Sequence, residues 1–396
     1  MSTKLKTSQR GSLFGLIVSQ FVGAFNDNAW KIMVFTLATR PLLQEPLAQE
    51  VFEYSSQMKA TVALLVFLFP MLIFSFPAGA LADRFSKRSM IIIMKGFEVL
   101  LMLLATLSLY LIPAELLFPY ILLGAMGMQS ALFSPAKYGI LPQILPYEKL
   151  SKGNGLMEMW TMIAIIAGTG LGPIMLALDK GGLAPDLSWT GPVILSVLSL
   201  IGFAMSFLVP KVEPAQKESK GSIETLKDAG RAMWTDRILL LAILGTFFYW
   251  FIISLLGQNV LVYAKTLVKH LEKGELLQGL PPASYGIGIA LGALIGGKIS
   301  KDRIEYGLIP FGAIGFAILS SFLGLVQPKI PGTVATLICM GMFSGMLIIP
   351  LQSLVQWRAP VGERGAVIAL SNALNIGGMK GRLPLWHILV LTLKKL

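Results

Sequence analysis

The segment "GALADRFSKR", Gly79–Arg88, crowds one acidic and three basic residues between two long apolar blocks. A second segment, "GGKISKDRIEYG" from Gly296 to Gly307, sits between two later apolar blocks and places Asp302-Arg303 where the first has Asp83-Arg84, 219 residues earlier. An unrelated landmark agrees. "SKGNGLMEM" carries Asn154 and "ALSNALNIG" carries Asn372, an offset of 218. Two landmarks sharing nearly one offset point to a duplicated chain with two parallel six-helix halves, as in many membrane carriers. The expected division is 1–211 for the first half, 212–237 for a polar linker loop and 238–396 for the second half.

Composition sets the class. Of 396 residues, 55% are hydrophobic and 14% charged, whereas a soluble domain carries nearer a quarter charged residues. The apolar residues fall in blocks of roughly twenty, the length a helix needs to cross a bilayer. Spans are read at 13–38, 60–82, 90–112, 115–136, 155–178, 190–210, 238–262, 283–300, 306–326 and 332–356. The expected fold is an all-α polytopic membrane protein. No cleavable signal pattern is read in the first span, which runs through "FNDNAWK" without a small-residue cleavage site. One cysteine and two distant histidines, His270 and His387, argue against a disulfide framework, a zinc site or a histidine proton relay. "GTGLGP", Gly168–Pro173, lacks the strand–helix context of a nucleotide loop, so Gly172 and Pro173 read as a hinge or packing face. No cofactor is expected.

The net charge of +12 does not read as nucleic-acid binding. Between the spans, nineteen Lys and Arg fall on one side and seven on the other. That asymmetry places the N-terminus in the cytoplasm, and the basic excess reads as topology plus attraction to anionic lipid. Within the Gly79–Arg88 segment, Gly79 permits close backbone approach and Asp83 suits a neighbouring helix N-terminus. Arg84, Lys87 and Arg88 line the cytoplasmic rim. With Asp302 and Arg303 they read as a charged latch; a plain topological loop is the alternative.

Several stretches resemble known families. The "GxxxDRxxKR" pattern between the second and third spans resembles the major facilitator superfamily. "QFVGAFNDNAWK" (Gln20–Lys31), "FSPAKYGILPQILP" (Phe133–Pro146) and "KLSKGNGLMEM" (Lys149–Met159) look like the bacterial lysophospholipid transporter family. That family also occurs as the membrane domain of bifunctional acyltransferase/acyl-carrier-protein synthetases. The resemblance implies a carrier taking lysophospholipids, chiefly lysophosphatidylethanolamine, to the cytoplasmic leaflet of the bacterial inner membrane. A cytoplasmic acyltransferase would reacylate them there. It also implies that Asp27 and Lys137 are pathway residues.

The residues themselves agree with that implication. Ionisable groups in a span are costly and face a cavity or a partner. Asp27, flanked by Asn26 and Asn28, suits an ammonium or hydroxyl; Lys137, beside Tyr138, suits a phosphate as a point charge. Lys137 is read at the end of the fourth span, where snorkelling to the interface is the bland alternative. Glu158, near the cytoplasmic end of the fifth span, is a further candidate. Lys95 and Glu98 read as a local i,i+3 pair. In the seventh span Gln258 and Asn259 hold a pathway position, where the resemblance suggests a basic residue and this chain has none. Competing readings are a proton-coupled exporter of amphipathic drugs and a non-transporting membrane anchor. No enzyme is expected, since neither a His-x4-Asp acyltransferase pattern nor a GxSxG occurs. Lys380, Arg382 and Pro384 interrupt what the repeat makes an eleventh span. The second half is therefore expected to be incomplete, with about ten full spans and a broken eleventh, as in a truncated gene product.

Overall fold

The computed structural model describes residues 2–44, 49–113, 115–176, 188–214, 222–268, 279–300 and 303–379. Among them lie twelve helices and no strand: α1 (Ser2–Gln44), α2 (Gln49–Arg84), α3 (Lys87–Leu111), α4 (Leu117–Ile144), α5 (Tyr147–Leu176), α6 (Thr190–Ser206), α7 (Ser222–Thr235), α8 (Arg237–Val268), α9 (Leu280–Ile299), α10 (Leu308–Val326), α11 (Ile330–Arg358) and α12 (Arg364–Met379). The all-α expectation holds. The interrupted segment at 380–396 lies outside the described residues.

Eight of the helices contain a stretch long and apolar enough to cross a membrane, and α6 is apolar but only 17 residues long. The remaining expected span lies on α1. Its hydropathy is lowered by Asn26, Asp27, Asn28 and Lys31, which sit in the middle of an otherwise apolar run. Polar groups in the centre of a span are the kind that function retains.

Two details depart from the sequence reading. The fourth span was expected to stop near residue 136, but α4 runs unbroken through Pro135 and Pro142 to Ile144. Membrane helices tolerate proline because neighbouring helices and hydroxyl side chains satisfy the freed backbone groups. Lys137 is therefore inside a helix and not at its end. The stretch read as linker loop also contains α7, whose Thr225, Ala229 and Met233 are buried at fourfold spacing while Lys227 and Arg231 face outward. An amphipathic helix this short is easily missed inside a polar stretch, because its stability comes from the packed face.

The chain forms two compact units. One comprises Met1–Ala78, Phe85–Lys137 and Ala164–Glu213. Its core gathers Phe25, Trp30 and Met33 of α1 with Phe67, Leu101, Met102, Leu123 and Met126. The other comprises Gly79–Arg84, Tyr138–Ile163 and the described part of Pro214–Leu396. Its core includes Leu239, Ile243, Leu351, Leu354 and Val367. Within this second unit two close approaches repeat the sequence offset. A Cβ on Gly79 would lie 2.7 Å from that of Ala369, and one on Gly297 would lie 3.1 Å from the Ser151 carbonyl oxygen. Gly79 and Gly297 are 218 residues apart, as are Ser151 and Ala369, the spacing expected from the internal repeat.

Candidate functional site

In the first unit, α1 and α4 run antiparallel and are tied by two polar rungs. Ser130 donates to Asp27 Oδ2 at 2.5 Å, and Lys137 Nζ donates to Gln20 Oε1 at 2.8 Å. Each helix contributes residues seven apart, so the rungs are about 10 Å apart along the axis. Asp27 Oδ1 is shielded from solvent and has no hydrogen-bond partner. Lys137 Nζ also lies 5.5 Å from the centroid of Phe133, one turn away on its own helix. Asp27 and Lys137 thus share one helix–helix seam without touching.

Asn26 and Asn28 leave that seam in different directions. Asn26 is fully buried; its Nδ2 donates to Glu98 Oε1 at 2.9 Å and to the Leu195 carbonyl at 3.3 Å. Glu98 in turn pairs with Lys95 at 2.6 Å, both fully buried. The i,i+3 pair expected from sequence is present, but it is the middle of a polar knot joining α1, α3 and α6. Asn28 donates to the Ala24 carbonyl at 2.8 Å and accepts from Lys31 Nζ at 2.9 Å. Lys31, Gln20 and Ser130 are contributors that sequence reasoning passed over. Lys31 was discoverable, since it lies four residues from Asp27 on one helix face. Ser130 and Gln20 carry no charge and gave no such signal.

Gly172 packs the fifth helix on the first: a Cβ there would lie 2.9 Å from the Ala29 carbonyl oxygen, and Gly168 one turn earlier meets Phe25 as closely. These glycines lie where α5 packs on α1, and Pro173 is carried inside the helix.

The remaining substrate-binding candidates lie in the second unit. Tyr138 packs on the core around Leu351 and Val367, and Glu158 is buried, close enough to interact electrostatically with Tyr138 and Tyr249. Asn259 is exposed and its amide donates to the Leu255 carbonyl one turn back; the side chain of Gln258 lies outside the described residues.

Gly79, Asp83 and Arg84 belong to the last turns of α2, and Lys87 and Arg88 open α3, leaving only Phe85 and Ser86 between the helices. Asp83 is fully buried and accepts from the backbone N–H groups of Gly365 (2.7 Å) and Ala366 (2.8 Å). It thereby caps α12 from another helix, where two orphan donors and the helix dipole favour an anion. Arg84 is exposed, whereas Lys87, also read as a rim residue, is fully buried and Arg88 donates to the Phe207 carbonyl at 3.1 Å. Arg303 forms an exposed pair with Glu305 at 3.0 Å, and Asp302 lies outside the described residues. Nearby in the chain fold of the second unit, Asp236 caps α8 through the N–H groups of Ile238 and Leu239 and pairs with Arg358 at 2.5 Å. Burial alone would raise its carboxyl, but the Leu239 N–H and the Arg358 guanidinium outweigh that and hold it below the usual carboxylate range. Among the described residues, no group of three or more His, Cys, Asp or Glu gathers as a metal site would require.

Known proteins match this chain along most of its length. The lysophospholipid transporter LplT of Cronobacter sakazakii is 28% identical over 384 residues, covering 92% of this chain and 86% of that protein. LplT of Escherichia fergusonii is 29% identical over 391 residues, covering 95% and 88%. Among solved structures, the transporter FucP in its outward conformation superposes with a TM-score of 0.70 at 13% identity, covering 96% of this chain and 92% of that one. A bacterial homologue of the iron transporter ferroportin gives 0.65 at 17% identity, covering 92% and 89%. The sequence profile of the Major Facilitator Superfamily matches residues 12–379. With apolar spanning helices, the α2 carboxylate capping α12 and that profile over nearly its whole length, the chain belongs to the Major Facilitator Superfamily.

Proposed function

We propose that this chain is a secondary carrier of lysophospholipids, chiefly lysophosphatidylethanolamine, and not an enzyme. The observation that carries the reading is the α1–α4 seam, where an anion and a cation, Asp27 and Lys137, are set among apolar helices. A zwitterionic headgroup needs at least that pair. Asp27 takes the ammonium or the free glycerol hydroxyl, Lys137 takes the phosphate, and the single acyl tail stays among apolar side chains or in lipid. The names of the relatives support the same substrate class. Asn26 serves this pair indirectly by fixing α1 against α3 through Glu98.

The carrier halves are 1–211 and 238–396, joined through 212–237. The Lys/Arg asymmetry sets the N-terminus in the cytoplasm, so transport delivers substrate to the cytoplasmic leaflet, where an acyltransferase reacylates it. The Asp83 cap on α12 acts as a latch that breaks and reforms during the cycle.

Spheroplasts expressing the chain test this. Labelled lysophosphatidylethanolamine is taken up, and Asp27→Asn and Lys137→Ala each lower uptake at matched membrane abundance, by about tenfold for a lost charged hydrogen bond. An external thiol reagent labels Glu50→Cys but not Ser219→Cys. Wild-type uptake no faster than in cells lacking the chain would sink the substrate assignment, and the opposite labelling pattern would reverse the orientation.

A further inference from the structure

We propose that Lys31 is a second phosphate-binding residue of this carrier, forming with Asp27 a two-charge clamp on one face of α1. The proposal rests on the lysophospholipid reading above and extends it to a residue outside the Asp27–Lys137 pair.

Lys31 lies one helical turn beyond Asp27, the i,i+4 spacing that puts two side chains side by side. Their charges are near enough to interact electrostatically, yet they form no direct ion pair. Lys31 Nζ instead donates to Asn28 Oδ1 at 2.9 Å and sits 5.4 Å from the centroid of the Phe67 ring. An ammonium has three donors, and one is used on Asn28. Beside it, Asp27 spends one oxygen on Ser130 and leaves Oδ1 buried without a partner. An unsatisfied acceptor on an anion and spare donors on a cation, one turn apart, match a ligand carrying an ammonium and a phosphate on a short bridge. Keeping a lysine in a span is costly, and a pairing that leaves both charges partly unspent needs a reason.

The geometry also orders the two cations. Lys31 lies one turn beyond Asp27 on α1, and Gln20, which holds Lys137, lies about two turns before it. With the N-terminus cytoplasmic, Lys31 is the outer phosphate station and Lys137 the inner one. The ammonium stays near Asp27 while the phosphate passes from one lysine to the other, so neither end of the headgroup is stripped of its counter-charge in mid-membrane.

The full chain, reconstituted in nanodiscs, is assayed for binding of lysophosphatidylethanolamine and of a monoacylglycerol with the same acyl chain and no phosphate. Lys31→Gln weakens lysophosphatidylethanolamine binding about tenfold, leaves the monoacylglycerol unchanged, and Lys31→Arg restores most of the loss. Equal lysophosphatidylethanolamine binding by wild type and Lys31→Gln overturns the proposal and leaves the function standing. Equal loss of both lipids in Lys31→Gln makes Lys31 a structural residue and also overturns it. Absence of binding by the wild-type chain, with no uptake in spheroplasts, removes the lysophospholipid reading itself.

Discussion

The two compact units hold their helices together with different kinds of polar group. In the unit containing α1, two of the side-chain links carry charge: Lys95 and Glu98 with Asn26, and Asp27 with Ser130. In the other unit the main links are neutral, although Asp83, Glu158 and Arg364 are buried there as well. Asn154 and Gln356 exchange amide hydrogen bonds at 2.8 and 3.0 Å, Ser353 joins them at 3.0 Å, and Ser344 links the hydroxyls of Tyr249 and Tyr285 at 3.1 and 2.8 Å. Neutral hydrogen bonds suffice to glue membrane helices, and small residues let the backbones close on them. Charge is not needed for that purpose and is expensive in a span. Where the molecule spends it, beside the candidate substrate seam, binding is the better explanation. In the other unit Asp83 is explained by its cap on α12, next to Arg364, which leaves Glu158 as a place where the same argument applies.

The sharpest way to break the comparison is to remove one partner from the charged knot. Glu98→Gln leaves Lys95 as an uncompensated buried charge and is expected to destabilise the protein by about 3–5 kcal/mol. Thermal unfolding in detergent reads this as a large drop in midpoint, and the double variant Lys95→Met with Glu98→Leu recovers most of it. If the double variant is as unstable as the single one, the knot is held by packing and not by charge balance. A smaller effect is expected in the neutral unit. Asn154→Ala removes one interhelical amide pair and costs about 1 kcal/mol, measured in the same assay. A loss as large as that of Glu98→Gln would erase the distinction between the units.

The smallest effect concerns pH, at a charged site outside the spans. The Asp236 carboxyl is held below its ordinary value, so it stabilises the fold above the unfolded carboxylate value of about 4 and loses that contribution as pH falls through the lower folded value. Unfolding midpoints followed down through this acid range should therefore fall less steeply in Asp236→Asn than in wild type. The pair is partly solvated, so the difference is small, and identical slopes would mean that the cap and the Arg358 pair add nothing to stability.

Much of the site was legible before the structure. Asp27 and Lys137 stand out because ionisable residues are rare in apolar runs, and Lys95–Glu98 because three-residue spacing places them on one helix face. Asp83 was also legible, as a carboxylate suited to a neighbouring helix N-terminus. Less accessible were Gln20 and Ser130, uncharged residues whose importance lies only in what they face. Lys137 was misplaced because the fourth span was read as ending near residue 136, whereas α4 runs on through Pro142 to Ile144; in a membrane helix the cost of proline is absorbed locally. The α7 helix was hidden because its few apolar residues are meaningful only against the helices they pack on.

By itself, then, the sequence determined the class of molecule, its spans, its duplication and the positions of its costly charges. These follow from hydropathy, periodicity and Born energy, which act residue by residue along the chain. Only the tertiary structure decided how those charges are spent: Asn26 inward to Glu98, Lys31 over the Phe67 ring, Lys137 across to Gln20, and Asp83 onto the first N–H groups of α12. Each of those choices joins residues 36 to 283 positions apart. The partner of a buried polar group is set by which helix faces pack together, and no local pattern encodes that.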